Sequence, residues 1–97
     1  MKEYKIPQPL ITTGDVIITR LAKQFVEPED VAISLFRHER SDWGNLSKDD
    51  WFANENSLPK RRPLVSCYRD RKGTGFLIET DATRQITKVS LFDEDGE

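Results

Sequence analysis

This chain is short of cysteine, histidine, glycine motifs and long apolar runs, and each shortage excludes something. A single cysteine, Cys67, cannot close an internal disulfide, so the fold is not a disulfide scaffold and a reducing, cytoplasmic setting is expected. A single histidine, His38, with no second thiol and with carboxylates on different predicted elements, matches no standard ligand spacing, so no metal and no other cofactor is expected. The glycines form no phosphate-cradling loop, because Gly73-Thr74-Gly75 reads as a hairpin turn. No apolar run approaches the roughly 20 residues that span a bilayer, and Met1-Lys2-Glu3-Tyr4-Lys5-Ile6-Pro7 lacks the apolar core of a secretory leader. No membrane role is expected. There is no internal repeat and no low-complexity linker. Nor is there a charge excess of one sign, since the net charge of -2 is too small to announce a nucleic-acid binder.

What remains is the composition of one ordinary globular domain. The chain has 97 residues, 36% hydrophobic and 33% charged, enough for one modest core with a small stability margin. Charge is unevenly placed. The terminal Asp93-Glu94-Asp95-Gly96-Glu97 is acidic and leaves the remainder slightly basic. Lys60, Arg61, Arg62, Arg69, Arg71 and Lys72 face only Asp70 between residues 60 and 72.

Periodicity gives the order of elements. Residues 1–13 hold Pro7 and Pro9 without a clear period and read as an extended arm. Val16-Ile17-Ile18-Thr19 is a β-branched run suited to a strand, and Thr19 can cap a short helix from Arg20 to Val26. Pro28 suits a helix N1 position, with Glu29 and Asp30 at the positive end of the dipole. Val31, Ala32, Leu35 and Phe36 form a stripe that His38 continues, up to a stop at Trp43-Gly44. Ser47 can cap a third helix running to about Ser57, on which Trp51, Asn54, Glu55 and Leu58 share a face. After Pro63 the period falls to two. Strands are expected at Leu64-Val65-Ser66-Cys67-Tyr68, from Gly75 to Thr80 and from Ile86 to Phe92, with the Val16 strand at an edge. The predicted fold is α+β: two or three N-terminal helices packed on one face of a three- to four-stranded antiparallel sheet. Residues 14–92 form its core, after the arm and before an acidic tail over 93–97.

The densest polar stretch runs from Arg37 to Arg62. His38 and Asp42 stand four apart and would meet if the helix continued to Trp43; a carboxylate beside an imidazole suits general acid–base chemistry. Glu55 could supply the second acid–base group and Arg62 could neutralise phosphate charge, a set fit for metal-independent RNA cleavage. The structural alternative is that His38 caps a helix C-terminus and Asp42 bonds turn amides before Gly44. Trp43 and Trp51 are either core residues or partner anchors. Arg61 and Arg62 form either a solvated loop or a clamp for phosphate or for Glu55. Cys67 reads as a small core residue.

The segment from Leu35 to Arg62 resembles a family of small proteins common on bacterial plasmids, phages and integrated elements. In that family an Arg-His, an Asp-Trp-Gly and an Asn-Glu-x-x-Leu recur in this order, here as Arg37-His38, Asp42-Trp43-Gly44 and Asn54-Glu55-Asn56-Ser57-Leu58. Leu64-Val65-Ser66-Cys67-Tyr68 and the strand beginning at Phe76 fit the strands that follow, so the resemblance covers roughly residues 14–92. It implies a mobile-element setting, with no established activity. On this reading the chain is a non-enzymatic interaction protein that modulates or inhibits a host or element nucleoprotein machine, such as a defence system. Arg37, Asp42, Trp43, Trp51, Asn54, Arg61 and Arg62 are the candidate partner-binding residues. The alternatives are a small ribonuclease built on His38, Glu55 and Arg62, and direct nucleic-acid binding through residues 60–72.

Overall fold

Capping chemistry marks where the helices begin. In the computed structural model, which describes residues 9–94, Thr19 Oγ1 accepts from the Ala22 amide at 3.2 Å and starts α1 (Arg20–Phe25). Pro28 stands at the start of α2 (Pro28–Glu39), with Glu29 and Asp30 in its first turn. Ser47 Oγ accepts from the Asp50 amide at 3.1 Å and starts α3 (Lys48–Ser57). All three starts follow from the sequence signals: at α1 and α3 a hydroxyl satisfies a backbone donor that no preceding turn can reach, and at α2 proline brings a preset φ and no donor to satisfy.

The end of α2 departs from expectation. The helix stops at Glu39, short of Trp43. Ser41 adopts a left-handed backbone, φ 59°, its amide donates to the His38 carbonyl, and the Asp42 amide donates to the Arg37 carbonyl. These paired bonds are those of a Schellman closure, usually signalled by glycine. With serine in the left-handed position, the signal is missing from the sequence.

Four strands form one sheet: β1 (Asp15–Ile18), β2 (Leu64–Arg69), β3 (Gly75–Thr80) and β4 (Ile86–Leu91), in the order β1-β4-β3-β2. The pairs β2–β3 and β3–β4 are antiparallel, as their short turns require. The expected all-antiparallel sheet needs correction, because β1 lies parallel to β4. No hairpin ties β1 to its neighbour, so nothing local forces its direction. Its partner lies some seventy residues later in the chain, and α1 leaves β1 to pack over β4.

Register assigns the faces. Tyr68, Phe76 and Leu91 lie across from one another on the helical side, as do Ser66, Ile78 and Val89, and then Leu64, Thr80 and Thr87. The main core joins Tyr68, Phe76, Ile78 and Val89 to Ala22, Val26 and Val31 from α1 and α2. A second cluster holds Ile11, Trp43 and Leu64, with Leu46, Trp51 and Leu58 packed against it. The last part of the expected arm is therefore anchored: the amides of Leu10 and Ile11 donate to the Glu39 carbonyl, while residues 1–8 lie outside the described residues. Of the acidic tail, Glu94 accepts from the Thr19 hydroxyl at 2.9 Å and the Leu91 amide at 2.8 Å; residues 95–97 lie outside the described residues. Among the described residues no helix is long and apolar enough to cross a membrane.

Candidate functional site

The polar residues singled out in the sequence converge around the β2 edge of the sheet, where they are joined to one another and to the backbone. His38, on the inner face of α2, has no exposed surface. Its Nδ1 meets Ser66 Oγ and its Nε2 meets Thr80 Oγ1 at 2.8 Å. Thr80 Oγ1 lies 2.7 Å from Thr87 Oγ1, and the Thr87 hydroxyl donates to the Thr13 carbonyl at 2.8 Å.

This chain of groups has a direction. A carbonyl only accepts, so the single Thr87 proton is spent on Thr13. Thr80 must then donate to Thr87, and so accepts from His38 Nε2–H. His38 Nδ1 is left as the acceptor of the Ser66 proton. Neutral imidazole in one tautomer satisfies every link. Burial, with a smaller contribution from the positive charge of Arg84, pulls the His38 pKa down to about 4. A protonated ring would present two donors and strand the Ser66 proton.

His38 does not pair with Asp42. The Schellman turn redirects Asp42 to Arg37, which donates to it through Nε at 2.7 Å and Nη2 at 3.2 Å. That guanidinium holds the Asp42 carboxyl below the usual carboxylate range. It also lies over the Tyr68 ring at 4.9 Å, while the Tyr68 hydroxyl donates to the Asp42 carbonyl at 2.6 Å. Trp43 is wholly buried, edge-on to His38 at 5.5 Å between ring centroids, and its indole N–H reaches Glu55 Oε1 at 3.4 Å.

The next residues close the sheet edge. Trp43 O accepts from the Cys67 amide and the Asn45 amide donates to Cys67 O, so Gly44 forms a parallel bridge to Cys67. Gly44 has φ 75°, and a Cβ there would stand 2.1 Å from the Cys67 carbonyl oxygen. Two residues along, the Asn54 side chain replaces a strand: Nδ2 donates to Val65 O at 2.6 Å, and Oδ1 accepts from the Val65 amide at 3.3 Å. An edge that would otherwise invite pairing is thereby occupied.

Of the candidate catalytic set, His38 is buried, whereas Glu55 and Arg62 are exposed, and among the described residues no hydrogen bond or ion pair joins any two of the three. Of the candidate anchors, Trp43 offers no surface and Trp51 packs against the second core cluster, whereas Arg61 and Arg62 are exposed. The basic stretch 60–72 is divided. Arg71 clasps Asp30 on α2 through its amide at 2.8 Å and its guanidinium at 3.1 Å, and Lys72 lies 3.6 Å from Glu27. Burial opposes ionisation of Asp70, yet the amides of Thr74, Glu27 and Lys72 hold its carboxyl below the ordinary range. Arg69 donates to the Gly73 carbonyl at 3.0 Å, and among the described residues neither it nor Lys60, Arg61 or Arg62 is in an ion pair. Burial pushes the Cys67 thiol up, the opposite of what a reactive thiolate needs.

Two features escaped the sequence reading. Phe52 on α3, with 68% of its surface exposed, and Ile33 and Phe36 on α2 project into solvent. Helical phase carries a signal for Phe52, which follows Trp51 and so falls off the Trp51–Leu58 face. The second is Arg84, in the turn between β3 and β4, whose surroundings no local pattern discloses. Comparison with protein-family models, with curated proteins and with solved structures finds no match to this chain.

Proposed function

We propose that this protein is a small non-enzymatic interaction protein of a mobile genetic element, one that modulates or inhibits a host or element nucleoprotein machine such as a defence system. The observation that carries the interaction reading is the apolar surface of the helical layer. Ile33 and Phe36 stand three apart on α2, Leu21 and Phe25 four apart on α1, and Phe52 stands on α3, all exposed. Large apolar side chains left outside at helical spacing mark a surface that another molecule covers. Of the residues that could have carried chemistry, His38 has both ring nitrogens engaged by Ser66 and Thr80. The mobile-element setting rests on the resemblance of residues 35–62.

The test is capture of partners by the tagged protein from nuclease-treated bacterial lysate, compared with an Ile33→Asp/Phe36→Asp variant and with Phe52→Asp. The expected result is one stoichiometric protein partner that survives nuclease and is lost from at least one variant whose circular dichroism matches wild type. Recovery equal in all three proteins would remove the apolar surface as the basis of this reading. Cleavage of labelled RNA by wild type but not by Glu55→Gln would replace it with the ribonuclease, which requires His38 to leave Ser66 and Thr80 and meet water.

A further inference from the structure

Arg84 is placed unlike Arg37, another half-buried arginine. Its Nη1 donates to two backbone carbonyls, Arg62 O at 2.8 Å and Asp81 O at 2.9 Å. Its Nη2 is closed off from water and, among the described residues, has no hydrogen-bond partner. The nearby carboxylate of Asp81 does not meet it. Asp81 Oδ1 accepts from the amides of Gln85 at 2.9 Å and Ile86 at 3.3 Å, and Oδ2 accepts from the Thr83 hydroxyl at 3.1 Å. The turn thus spends its own anion on amides and a hydroxyl, and Asp81 favours the guanidinium charge only through space, outweighed by burial and by Arg61.

A second cation stands beside it. Arg61 and Arg84 line one cavity of about 300 Å³, together with Thr12, Thr83 and the apolar Leu10, Ile11 and Leu58. Among the described residues no carboxylate lines it. Burial and then the charge of Arg61 depress the Arg84 pKa, so the two guanidiniums feel each other. Both residues also hold left-handed backbones, φ 51° at Arg61 and φ 63° at Arg84. Strain of this kind costs on the order of 1–3 kcal/mol per residue and clusters at ligand sites. A buried donor without a partner costs about as much again. Two like charges and two left-handed residues at one small cavity describe a site fit for an anion.

We propose that this cavity binds the phosphate group of a small phosphomonoester. Two guanidiniums match a dianion better than a monoanionic carboxylate, and planar forks suit the oxygens of a phosphate. The Thr12 hydroxyl adds a donor at the rim. A phosphate fills only part of about 300 Å³, and the wall of Leu10, Ile11 and Leu58 accommodates an organic body of about sugar size. The site lies outside the apolar helical surface, so its fate does not depend on the interaction reading above.

The experiment is a titration of the labelled full chain with inorganic phosphate and with ribose 5-phosphate, followed by the backbone amide signals of Thr12, Thr83 and Arg84, with sodium chloride at matched ionic strength as control. Saturable shifts at these three residues are expected for both ligands, with ribose 5-phosphate the tighter. Arg61→Gln should weaken both by about tenfold, the loss of one charge-assisted contact, while its unfolding temperature without ligand stays that of wild type. Shifts that merely follow ionic strength, or saturation that Arg61→Gln leaves unchanged, would overturn the proposal. Because Arg61 is exposed and its side chain makes no hydrogen bond among the described residues, that variant does not depend on the turn that Arg84 supports.

Discussion

Two corners of this protein each hold an arginine that is partly withdrawn from water, and they differ in how its charge is met. At the Arg37 corner the guanidinium forks onto Asp42, rests over Tyr68, and belongs to a network in which His38, Ser66, Thr80, Thr87 and Asn54 all have partners. At the Arg84 corner one guanidinium nitrogen is buried without an acceptor among the described residues, and the charge of Arg61 works against that of Arg84. A dense polar cluster is therefore not by itself a site. The Arg37 corner is architecture because its donors and acceptors balance; the Arg84 corner points outward to a ligand because they do not.

The sharpest attack on the first corner is Gly44→Ala. The new methyl would collide with the Cys67 carbonyl in a left-handed backbone, and neither strand nor turn can move without breaking the bridge. We expect a loss of about 4 kcal/mol in urea unfolding, enough to prevent folding outright. Gly73→Ala, at φ 88° with nothing within 4 Å, is the control and should cost only about 1 kcal/mol. Equal losses would show that the Gly44 bridge does not hold the corner.

The second test is pH. His38 is the sole histidine, and its folded pKa of about 4 lies below the unfolded value near 6.5. Above about pH 6.5 both states are neutral there and nothing is lost. As pH falls from 6.5 towards 4 the unfolded chain takes up a proton that the fold refuses. Stability should then drop by about 3 kcal/mol and level off below the folded pKa. Asp30, Asp42, Asp70 and Asp81, whose folded pKa values are depressed, begin to withdraw their contributions only below about pH 5, so the upper part of this window belongs to His38. A His38→Gln variant should lack the slope between about pH 6.5 and pH 5. A wild-type urea midpoint that stays flat across that interval would mean that the ring is accessible to protons in the folded state, and would reopen the acid–base reading.

Smaller effects refine the picture. Asn54→Asp keeps the shape but cannot donate to Val65 O, and places a charge against that carbonyl; a loss of about 2 kcal/mol is expected by chemical denaturation. The Arg37–Asp42 pair should matter least, because its side chains are 42% and 46% exposed. A double-mutant cycle with Arg37→Gln and Asp42→Asn should give a coupling of about 0.5 kcal/mol that shrinks in 1 M salt. A coupling above about 2 kcal/mol would move the pair from the rim into the corner's framework.

Much of this could be read along the chain, and the failures have physical causes. The caps at Thr19 and Ser47, Pro28 at the start of α2, and strands β2 to β4 all express local chemistry: a hydroxyl before a helix, a fixed φ, an alternation of two. The closure at Ser41 was hidden because serine took a place that glycine usually marks. The pairing of His38 with Asp42 failed for the same reason, since it assumed that the helix continued. The partners His38 does meet, Ser66 and Thr80, come from different strands, and no spacing in the sequence relates them to α2.

The sequence by itself determined the order of helices and strands, the α+β class and the residues that would crowd together between Arg37 and Arg62, because capping, turn chemistry and periodicity act within a few residues. Tertiary structure alone decided the parallel placement of β1, the partners of His38, the burial of Trp43, the exposure of Ile33 and Phe36, and the meeting of Arg61 with Arg84. Each of these depends on which distant segments come to share a neighbourhood. Whether a charged or polar side chain ends satisfied, stranded or in water is settled only when that neighbourhood has closed around it.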